Sequence, residues 1–335
     1  MSRKCGLGRR CVWVTLLVLL VSVVCFGAFF LLAPVSPASS QTLSFPHGSS
    51  LHVVARQLEQ VGVIRNARLF TLLARWRGDA ARIHAGTYDF DRAATPGDIL
   101  DRLVAGDVRH LQFTIPEGFD LRQIAARLEA AGIAPASEIL RLAHDPEFLA
   151  AQGVTAPSLE GYLFPETYTI SAGLPPERIL VAMIDELKRH LPESDKAAVA
   201  ARGLDVNDWL TLASIIQKEA GNEAEMPVIA AVFLNRLRGR IPLQADPTVI
   251  YGLGDAFNGN LTKKHLRQPT PYNTYTQRGL PPGPIASPGA KALQAVVAPA
   301  AVNYLYFVAR GDGTHAFSRT LKEHNRAVAD FQLHR

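Results

Sequence analysis

The sequence predicts an α+β protein that follows a single N-terminal transmembrane helix. Three observations carry this prediction: an uncharged apolar run near the N-terminus, turn-and-helix segments that alternate with short β-rich segments, and a mainly helical region from about Pro135 that long loops interrupt. The 335-residue chain is 48% apolar and 19% charged, which is typical of a folded protein with room for two modest domains.

The first element is the run CVWVTLLVLLVSVVCFGAFFLLA at residues 11–33, which has no charged residue and is long enough to cross a membrane as a helix. Basic residues in segment 1–10 predict a cytoplasmic N-terminus, with about 300 residues outside the plasma (inner) membrane. A cleaved signal peptide is the competing interpretation. Its apolar region would be shorter, and the following PVSPASS lacks a convincing cleavage site.

Charge and cysteine positions exclude two classes of function. The formal net charge is +5, but beyond residue 33 the chain has 31 basic and 30 acidic residues, so no basic footprint remains for nucleic acid. Cys5, Cys11 and Cys25 lie in or beside the apolar run. The outer part is therefore expected to have neither a disulfide nor a thiol nucleophile.

Small repeated units follow a Pro/Ser-rich linker at residues 34–42. Two stretches each predict a turn and an amphipathic helix ended by glycine, and a shorter third version begins at Thr95. The two are GSSLHVVARQLEQVGVI and EGFDLRQIAARLEAAGI. HAGTYDF and HLQFTIPEG have the aromatic and β-branched content of short strands, paired antiparallel or mixed. The repeat is either a packing unit or a small sugar-binding module.

The stretch TLASIIQKEAGN at residues 211–222 places an acid on the apolar face of a helix. Counting at helical spacing from Leu212, Glu219 lies in line with Ile215 and Ile216. Burial and the negative end of the helix dipole both disfavour the charged carboxylate, so the pattern favours a protonated general acid near neutral pH. The alternative is a structural glutamate that pairs with Lys218 or an arginine.

The flanking residues predict where this helix and its neighbours begin and end. Asn207 or Asp208 is the expected N-cap and Gly221 the expected end. MPVIAAVFLNRLRG predicts another helix, and residues 241–288 predict one long loop region rich in Gly, Pro, Asn and Tyr. The C-terminal part predicts a strand, a GDG turn, a strand and a helix with Thr320 and Glu323 as a capping box.

Polar and aromatic side chains near the acid suit a sugar chain, which needs directional hydrogen bonds and flat apolar surfaces. The candidate substrate-binding residues are Asn235, Gln244, Asp246, Thr248, Tyr251, Tyr272, Asn273, Thr274 and Tyr275. For Asn235, support of the following loop is an equal alternative. The sequence has no phosphate-binding, dinucleotide-binding, G-x-S-x-G or H-E-x-x-H motif, and its ten histidines lack metal-ligand spacing, so neither a cofactor nor a metal is expected.

Six segments in the same order resemble the MltG (YceG-like) endolytic murein transglycosylases. They are SLEGYLFPETY, LASIIQKEAG, AAVFLNRLR, LQADPTVIYG, PYNTYTQRGLPPGPIASPG and YLYFVARGDGTHAFSRTLKEHN. The resemblance implies a LysM-like membrane-proximal module at residues 43–113 and a YceG-like catalytic domain at 114–335. It also implies that Glu219, which closes the ASI-x-x-KE motif, is catalytic. Many members have an acid where this chain has Gln217, so Gln217 is not expected to donate a proton.

The implied activity is internal cleavage of nascent peptidoglycan strands between N-acetylmuramic acid and N-acetylglucosamine, which leaves 1,6-anhydro-muramic ends and terminates strand elongation. Glu219 is expected to serve both proton transfers, as acid and then as base. One alternative is a muramidase-type hydrolase with Asp246 as a second carboxylate. The other is an inactive membrane-anchored glycan-binding protein. The expected partners are nascent glycan strands, the membrane and peptidoglycan synthases.

Overall fold

The computed structural model describes residues 5–46 and 48–333, which divide into two compact units. The first unit contains residues up to Leu111 together with Thr169–Leu174, and the second contains Gln112–Tyr168 and the residues from Pro175 onward. Helices and short paired strands make up both, so the predicted α+β class is observed.

The apolar run forms α1 (Cys5–Leu32). Its portion Val12–Leu32 has a mean hydropathy of 2.8 and, by length and composition, is one helix that could cross a membrane. Arg65 holds the residues just after it, because its guanidinium donates to the carbonyl oxygens of Ala33 at 2.7 Å and Pro34 at 2.9 Å.

The first unit encloses its own apolar core. Its elements after α1 are β1 (Gln41–Phe45), α2 (Leu51–Gln60), α3 (Ala67–Trp76), β2 (Gly86–Phe90) and α4 (Pro96–Ala105). The next strand, β3 (His110–Thr114), has residues in both units. β1 and β2 pair antiparallel with Leu43 opposite Tyr88. Phe45, Leu58, Phe70 and Tyr88 are almost fully buried in this core. β1 begins inside the predicted linker because Gln41 already pairs with Phe90.

The remaining elements are mostly helical. In chain order they are α5 (Leu121–Ala130), α6 (Ala136–Leu142), α7 (Pro146–Gln152), β4 (Thr167–Ser171), α8 (Pro176–Arg189), α9 (Glu193–Ala200), α10 (Val206–Glu219), α11 (Met226–Arg238), α12 (Asp246–Leu253), α13 (Lys263–Arg267), α14 (Ala290–Val297), β5 (Tyr306–Ala309), β6 (His315–Ser318) and α15 (Leu321–Val328). β3 pairs with β4, and β5 pairs antiparallel with β6.

Helix α10 is the centre of the second unit. It packs against α9, α11, α12 and α14, and every residue from Trp209 to Ile216 is buried. Trp209 Nε1 donates to the carbonyl oxygen of Leu293 at 3.0 Å, which ties α10 to α14. Ser214 accepts from the Ile285 N–H at 3.0 Å, so a segment of the Gly/Pro-rich loop is fixed to the same helix.

Two predictions about boundaries in this unit are wrong. Asp205, rather than Asn207 or Asp208, caps α10, and Asp208 completes the capping box as its third helical residue. The predicted loop over 241–288 contains α12 and α13. The C-terminal strand, turn, strand and capped helix are confirmed by β5, β6 and α15.

Candidate functional site

A polar cavity of about 410 Å³ lies at the C-terminal end of α10. Its lining combines carboxyl, guanidinium, amide, phenol and imidazole groups with a few apolar side chains. The lining residues are Glu219, Arg236, Leu243, Gln244, Asp246, Tyr275, Phe307, Val308, Ala309, His315, His324, Val328 and Gln332. Helices α10, α11, α12 and α15, the short helical segment Ala329–Leu333, the β5–β6 hairpin and two loops supply these groups.

Glu219 is the last residue of α10 and keeps partial solvent access through the cavity. The surrounding protein raises the pKa of its carboxyl to about 8, chiefly because burial disfavours the charged form and secondly because Asp246 is negatively charged. The positive charge of Arg236 opposes this rise. Lys218 instead donates to the Gly118 carbonyl oxygen at 3.2 Å, so the pairing with Lys218 that the sequence left open is not observed.

Arg236 is a buried cation, 7% exposed, on the wall of the same cavity. Its Nε donates to the Leu305 carbonyl oxygen at 2.6 Å, and Nη1 donates to those of Pro242 at 3.1 Å and Leu243 at 2.8 Å. No carboxylate lies within ion-pairing distance of it among residues 5–46 and 48–333. The guanidinium therefore neutralises no neighbour directly and fixes the loop that follows α11.

That loop presents Gln244 to the cavity in a left-handed backbone conformation, with φ of 52°. The side-chain amide oxygen of Gln244 accepts from Arg236 Nη1 at 3.2 Å, and the backbone N–H of Gln244 donates to the Thr274 carbonyl oxygen at 3.1 Å. A non-glycine residue in this region is strained and persists only when its surroundings hold it. The contacts of Arg236 and Thr274 supply that restraint.

Asp246 and Tyr275 form a second fixed pair in the lining. The Tyr275 hydroxyl donates to Asp246 Oδ1 at 2.6 Å. Burial, followed by the hydrogen bond and charge of Asp246, raises the pKa of the Tyr275 phenol, so it remains a hydrogen-bond donor across the physiological range. Glu219 contributes to the same rise, which indicates that the two carboxyl groups and this phenol share one electrostatic environment.

His315 and Glu225 form a carboxylate–imidazole pair. The His315 Nδ1 lies 2.7 Å from Glu225 Oε2, and the His315 backbone N–H donates to Oε1 at 3.1 Å. His324 differs from it, because its Nδ1 is buried without a partner among the described residues. Burial and Arg236 both lower the pKa of His324, whose ring stacks on Tyr306 at 5.2 Å.

Of the ten residues singled out in the sequence, the cavity brings together Glu219, Gln244, Asp246 and Tyr275. Thr248 and Thr274 are buried behind it, with their hydroxyl oxygens 2.8 Å apart. Asn273 is also buried and donates to three carbonyl oxygens, those of His265, Leu266 and Gln268. These three side chains brace the loops that carry the lining residues. The binding roles assigned to all of them stay predictions.

The other predicted residues lie elsewhere. Tyr251 packs on Tyr272 with ring centroids 4.8 Å apart, and its hydroxyl donates to the buried Glu160 at 3.0 Å. Burial raises the pKa of Glu160 to about 7, although the Leu121 N–H and Tyr251 favour its charged form. Asn235 lines a separate cavity of about 780 Å³ and donates to the Val302 and Tyr304 carbonyl oxygens, so it supports the segment before β5.

Sequence reasoning missed Arg236, Glu225, His315 and His324. Arg236 and the histidines lie within segments that carry the family resemblance, but no spacing rule singles them out. Glu225 and His315 are ninety residues apart, so only the tertiary fold shows that they pair.

Gln217 accepts from the Gly289 N–H at 3.0 Å, which is a structural contact.

The model of the YceG-like family matches residues 43–330. The chain belongs to this family. An endolytic murein transglycosylase of Bacillus subtilis is 34% identical over 323 residues, which cover 90% of this chain and 89% of that relative. One of Streptococcus pneumoniae is 28% identical, over 86% of this chain and 58% of its own longer length. A solved YceG-like protein of Listeria monocytogenes is 34% identical, with a TM-score of 0.59 over 86% of this chain and 98% of its own.

Proposed function

We propose that this protein is an endolytic peptidoglycan lytic transglycosylase. It cuts glycan strands internally between N-acetylmuramic acid and N-acetylglucosamine. The single observation that carries the proposal is Glu219, whose carboxyl has a pKa raised to about 8 in a polar cavity at the end of a buried helix. The names of the relatives from Bacillus and Streptococcus support the same substrate.

Glu219 is the general acid in this proposal. Below about pH 8 its carboxyl holds the proton that a poor leaving group such as a glycosidic oxygen requires. After the transfer, the nearby positive charge of Arg236 stabilises the carboxylate. The muramic C6 hydroxyl attacks the anomeric carbon and closes the 1,6-anhydro ring. This attack needs a proton acceptor, and the Glu219 carboxylate left by the first transfer is one such acceptor.

A muramidase is the nearest alternative because Asp246 lines the same cavity and its charge raises the pKa of Glu219. A second carboxylate could activate water, as in hydrolysing glycosidases. Asp246 is occupied, however, by the Tyr275 hydroxyl at 2.6 Å. This hydrogen bond engages the carboxylate oxygen Oδ1 that would have to accept the proton of an attacking water, which supports the transglycosylase.

The test is mass spectrometry of the chain ends that the detergent-solubilised full chain releases from uncrosslinked glycan polymer. The wild type is compared with Glu219→Gln and with Glu223→Gln, a matched control at an exposed glutamate four residues further on. We expect anhydro ends from the wild type and the control, and none from Glu219→Gln. Reducing ends would establish the muramidase. Binding without cleavage by the wild type would establish an inactive glycan-binding protein.

We propose further that α1 anchors the protein in the plasma (inner) membrane with a cytoplasmic N-terminus, and that the active site faces outward. The uncharged length of Val12–Leu32 supports this topology, as do the basic residues before it. Such an anchor holds the site near nascent strands and makes peptidoglycan synthases its expected partners. The self-contained core of the first unit supports a separate LysM-like module there.

A further inference from the structure

The Glu225–His315 pair is built as an oriented base. Both carboxylate oxygens of Glu225 contact the same residue, one at the backbone N–H and one at the imidazole Nδ1. The ring is 9% exposed and meets Phe307 edge-on, with centroids 5.3 Å apart. Contacts on several sides therefore fix the rotamer of His315, which is the condition for precise proton transfer.

The hydrogen bond to Glu225 also fixes the tautomer. A carboxylate can only accept hydrogen bonds, so the Nδ1 atom of His315 must carry a proton and donate a hydrogen bond to Glu225. In the neutral ring the other nitrogen, Nε2, is then unprotonated and has a free lone pair. Among the described residues no protein group bonds to Nε2, while His315 lines the cavity that contains Glu219. An imidazole whose far nitrogen is held by a carboxylate is the general arrangement of an oriented catalytic base.

His324, the other imidazole of the cavity, lacks this arrangement. Its Nδ1 has no partner in the described part of the chain, and burial together with Arg236 disfavours its protonated form. No carboxylate of residues 5–46 and 48–333 lies within ion-pairing distance of His324. The two histidines share one cavity, but among the described residues only His315 has a carboxylate bound to its Nδ1.

We propose that His315, oriented by Glu225, accepts the proton of the muramic C6 hydroxyl while Glu219 protonates the leaving oxygen. This inference rests on the proposed transglycosylase function and names the second catalytic group. When both transfers occur in one concerted step, Glu219 still carries its own proton as the C6 hydroxyl loses one, so this step needs a second acceptor. With two groups, both transfers proceed in one step.

The step balances in atoms and charge. The C6 O–H bond breaks as its proton moves to Nε2, and the C6 oxygen forms a bond to the anomeric carbon C1. The C1–O4 glycosidic bond breaks, and O4 takes the proton of Glu219. The site is left with a Glu219 carboxylate near Arg236 and a His315 imidazolium beside the Glu225 carboxylate. Proton return from His315 to Glu219 through water restores both groups.

The test is imidazole rescue of His315→Ala in the full-length protein on uncrosslinked glycan, with anhydro ends as the readout. We expect kcat to fall about 10²- to 10⁴-fold with little change in KM, since the lost group moves a proton. Added imidazole should restore the rate in proportion to its free-base concentration. Glu225→Gln keeps the His315 ring and weakens its orientation. Its kcat should fall by a smaller factor, and added imidazole should not raise it.

Two further variants separate chemistry from folding. His144→Ala, at an exposed histidine outside the cavity, is the control and should keep the wild-type rate. His315→Gln keeps most of the side-chain volume and a donor for Glu225, and should be as slow as His315→Ala if both retain wild-type thermal unfolding.

Three results distinguish the outcomes. A wild-type kcat in folded His315→Ala or His315→Gln overturns the inference and leaves Glu219 to make both transfers. A raised KM without rescue by imidazole also overturns it, because His315 would then bind substrate only. Absence of anhydro ends from the wild type overturns the proposed function itself, whatever the variants do.

Discussion

Glu219 experiences opposing influences whose balance sets its chemistry. Burial and the charge of Asp246 favour the protonated carboxyl, and Arg236 favours the carboxylate. Burial dominates, so the pKa of about 8 lies above neutral pH while still allowing the proton to leave. A carboxyl at its ordinary pKa of 4.5 would be ionised at neutral pH and could not act as the acid.

Cleavage should depend on pH through the protonation of Glu219. The rate of anhydro-end formation should be sustained toward neutral pH and fall as pH rises through about 8, because Glu219 then loses the proton that it donates. The measurement is kcat/KM against pH on glycan polymer. A rate that rises across this interval would contradict the role of Glu219 as the acid.

Glu219→Gln should make the protein more stable near neutral pH while it removes activity. The Glu219 carboxyl ionises at about pH 4.5 in the unfolded chain but only at about pH 8 in the folded protein. Between these values ionisation favours the unfolded chain, so the free energy of unfolding falls as pH rises. Glutamine does not ionise, so the Glu219→Gln variant does not lose stability in this way. We expect a gain of about 1–3 kcal/mol near pH 7 and almost none near pH 4, measured by urea unfolding. Equal gains at both pH values would show that ionisation is not the cause.

Arg236→Gln should move the alkaline limit of activity upward. Arg236 lowers the pKa of Glu219, so its removal raises that pKa above about 8. The variant also loses the contacts to the Leu305, Pro242 and Leu243 carbonyl oxygens, and should lose about 2–4 kcal/mol of stability. The pH–rate profile of the folded variant is the measurement. Arg236→Lys, which keeps the charge, should keep the limit near its wild-type position.

The position of Glu219 could be predicted from the sequence because helical periodicity is local. The side chains that share the cavity with Glu219 could not be predicted in this way. Arg236 binds carbonyl groups of a loop and of the segment before β5, and Glu225 reaches His315 across ninety residues. The type of a polar residue in a loop also does not show whether its side chain lines the cavity or supports the loop. Tyr275 lines the cavity and contacts Asp246, whereas Asn273, two positions earlier, hydrogen-bonds to the backbone of its own loop.

Among the helices, α12 is not predicted from the sequence because it contains both proline and glycine. Pro247 and Gly252 indicate a loop, yet proline is accepted in the first turn of a helix. Gly252 is required by packing, since a Cβ there would lie 2.7 Å from Thr270 Oγ1 and 3.1 Å from Tyr272 Cβ. The helix itself carries Asp246 at its start and Tyr251 near its end.

Caps were predictable where the signal is contained within four residues. Thr320 and Glu323 form the expected capping box of α15. For α10 two acids that lie three residues apart, Asp205 and Asp208, both satisfy cap preferences, and the box uses Asp205 as the cap and Asp208 as its third helical residue. The expected caps, Asn207 and Asp208, lie inside the first turn of α10, because residue type alone does not fix the residue at which a helix begins.

Gly161→Ala tests the packing of the loop that carries Glu160. Gly161 has φ of 76°, and a Cβ there would lie 2.3 Å from Pro284 Cβ and 3.3 Å from the Ala286 carbonyl oxygen. We expect a loss of about 2–4 kcal/mol by urea unfolding. Gly132→Ala is the control, because Gly132 has a similar φ of 67° with no atom within 4 Å of its Cβ, and should lose only about 1 kcal/mol. Equal losses would exclude the contact with Pro284 as the cause.

In the molecule as a whole, the long apolar stretch and most of the charged residues lie in different parts of the chain. The uncharged stretch Val12–Leu32 lies near the N-terminus, and the residues beyond 33 are almost balanced in charge. The balanced part has little electrostatic attraction for an anionic membrane. Attachment to lipid should therefore depend on α1.

Vesicle flotation tests this dependence. The full chain reconstituted with phosphatidylethanolamine and phosphatidylglycerol should float with the vesicles even in about 1 M salt, because hydrophobic insertion is not screened. A chain lacking residues 1–33 should stay in the soluble fraction at low salt as well. Flotation of the shortened chain would place a membrane-binding surface in the remaining residues.

The proposed mechanism requires that the fold keep Glu219 protonated at neutral pH, so that it can act as the catalytic acid. Infrared difference titration of the wild type against Glu219→Gln isolates this carboxyl from Glu160, whose pKa is raised to about 7. We expect the Glu219 carboxyl to be protonated near pH 7 and to ionise at about pH 8. A Glu219 carboxylate already ionised near pH 6 would show that Glu219 is not the acid at neutral pH.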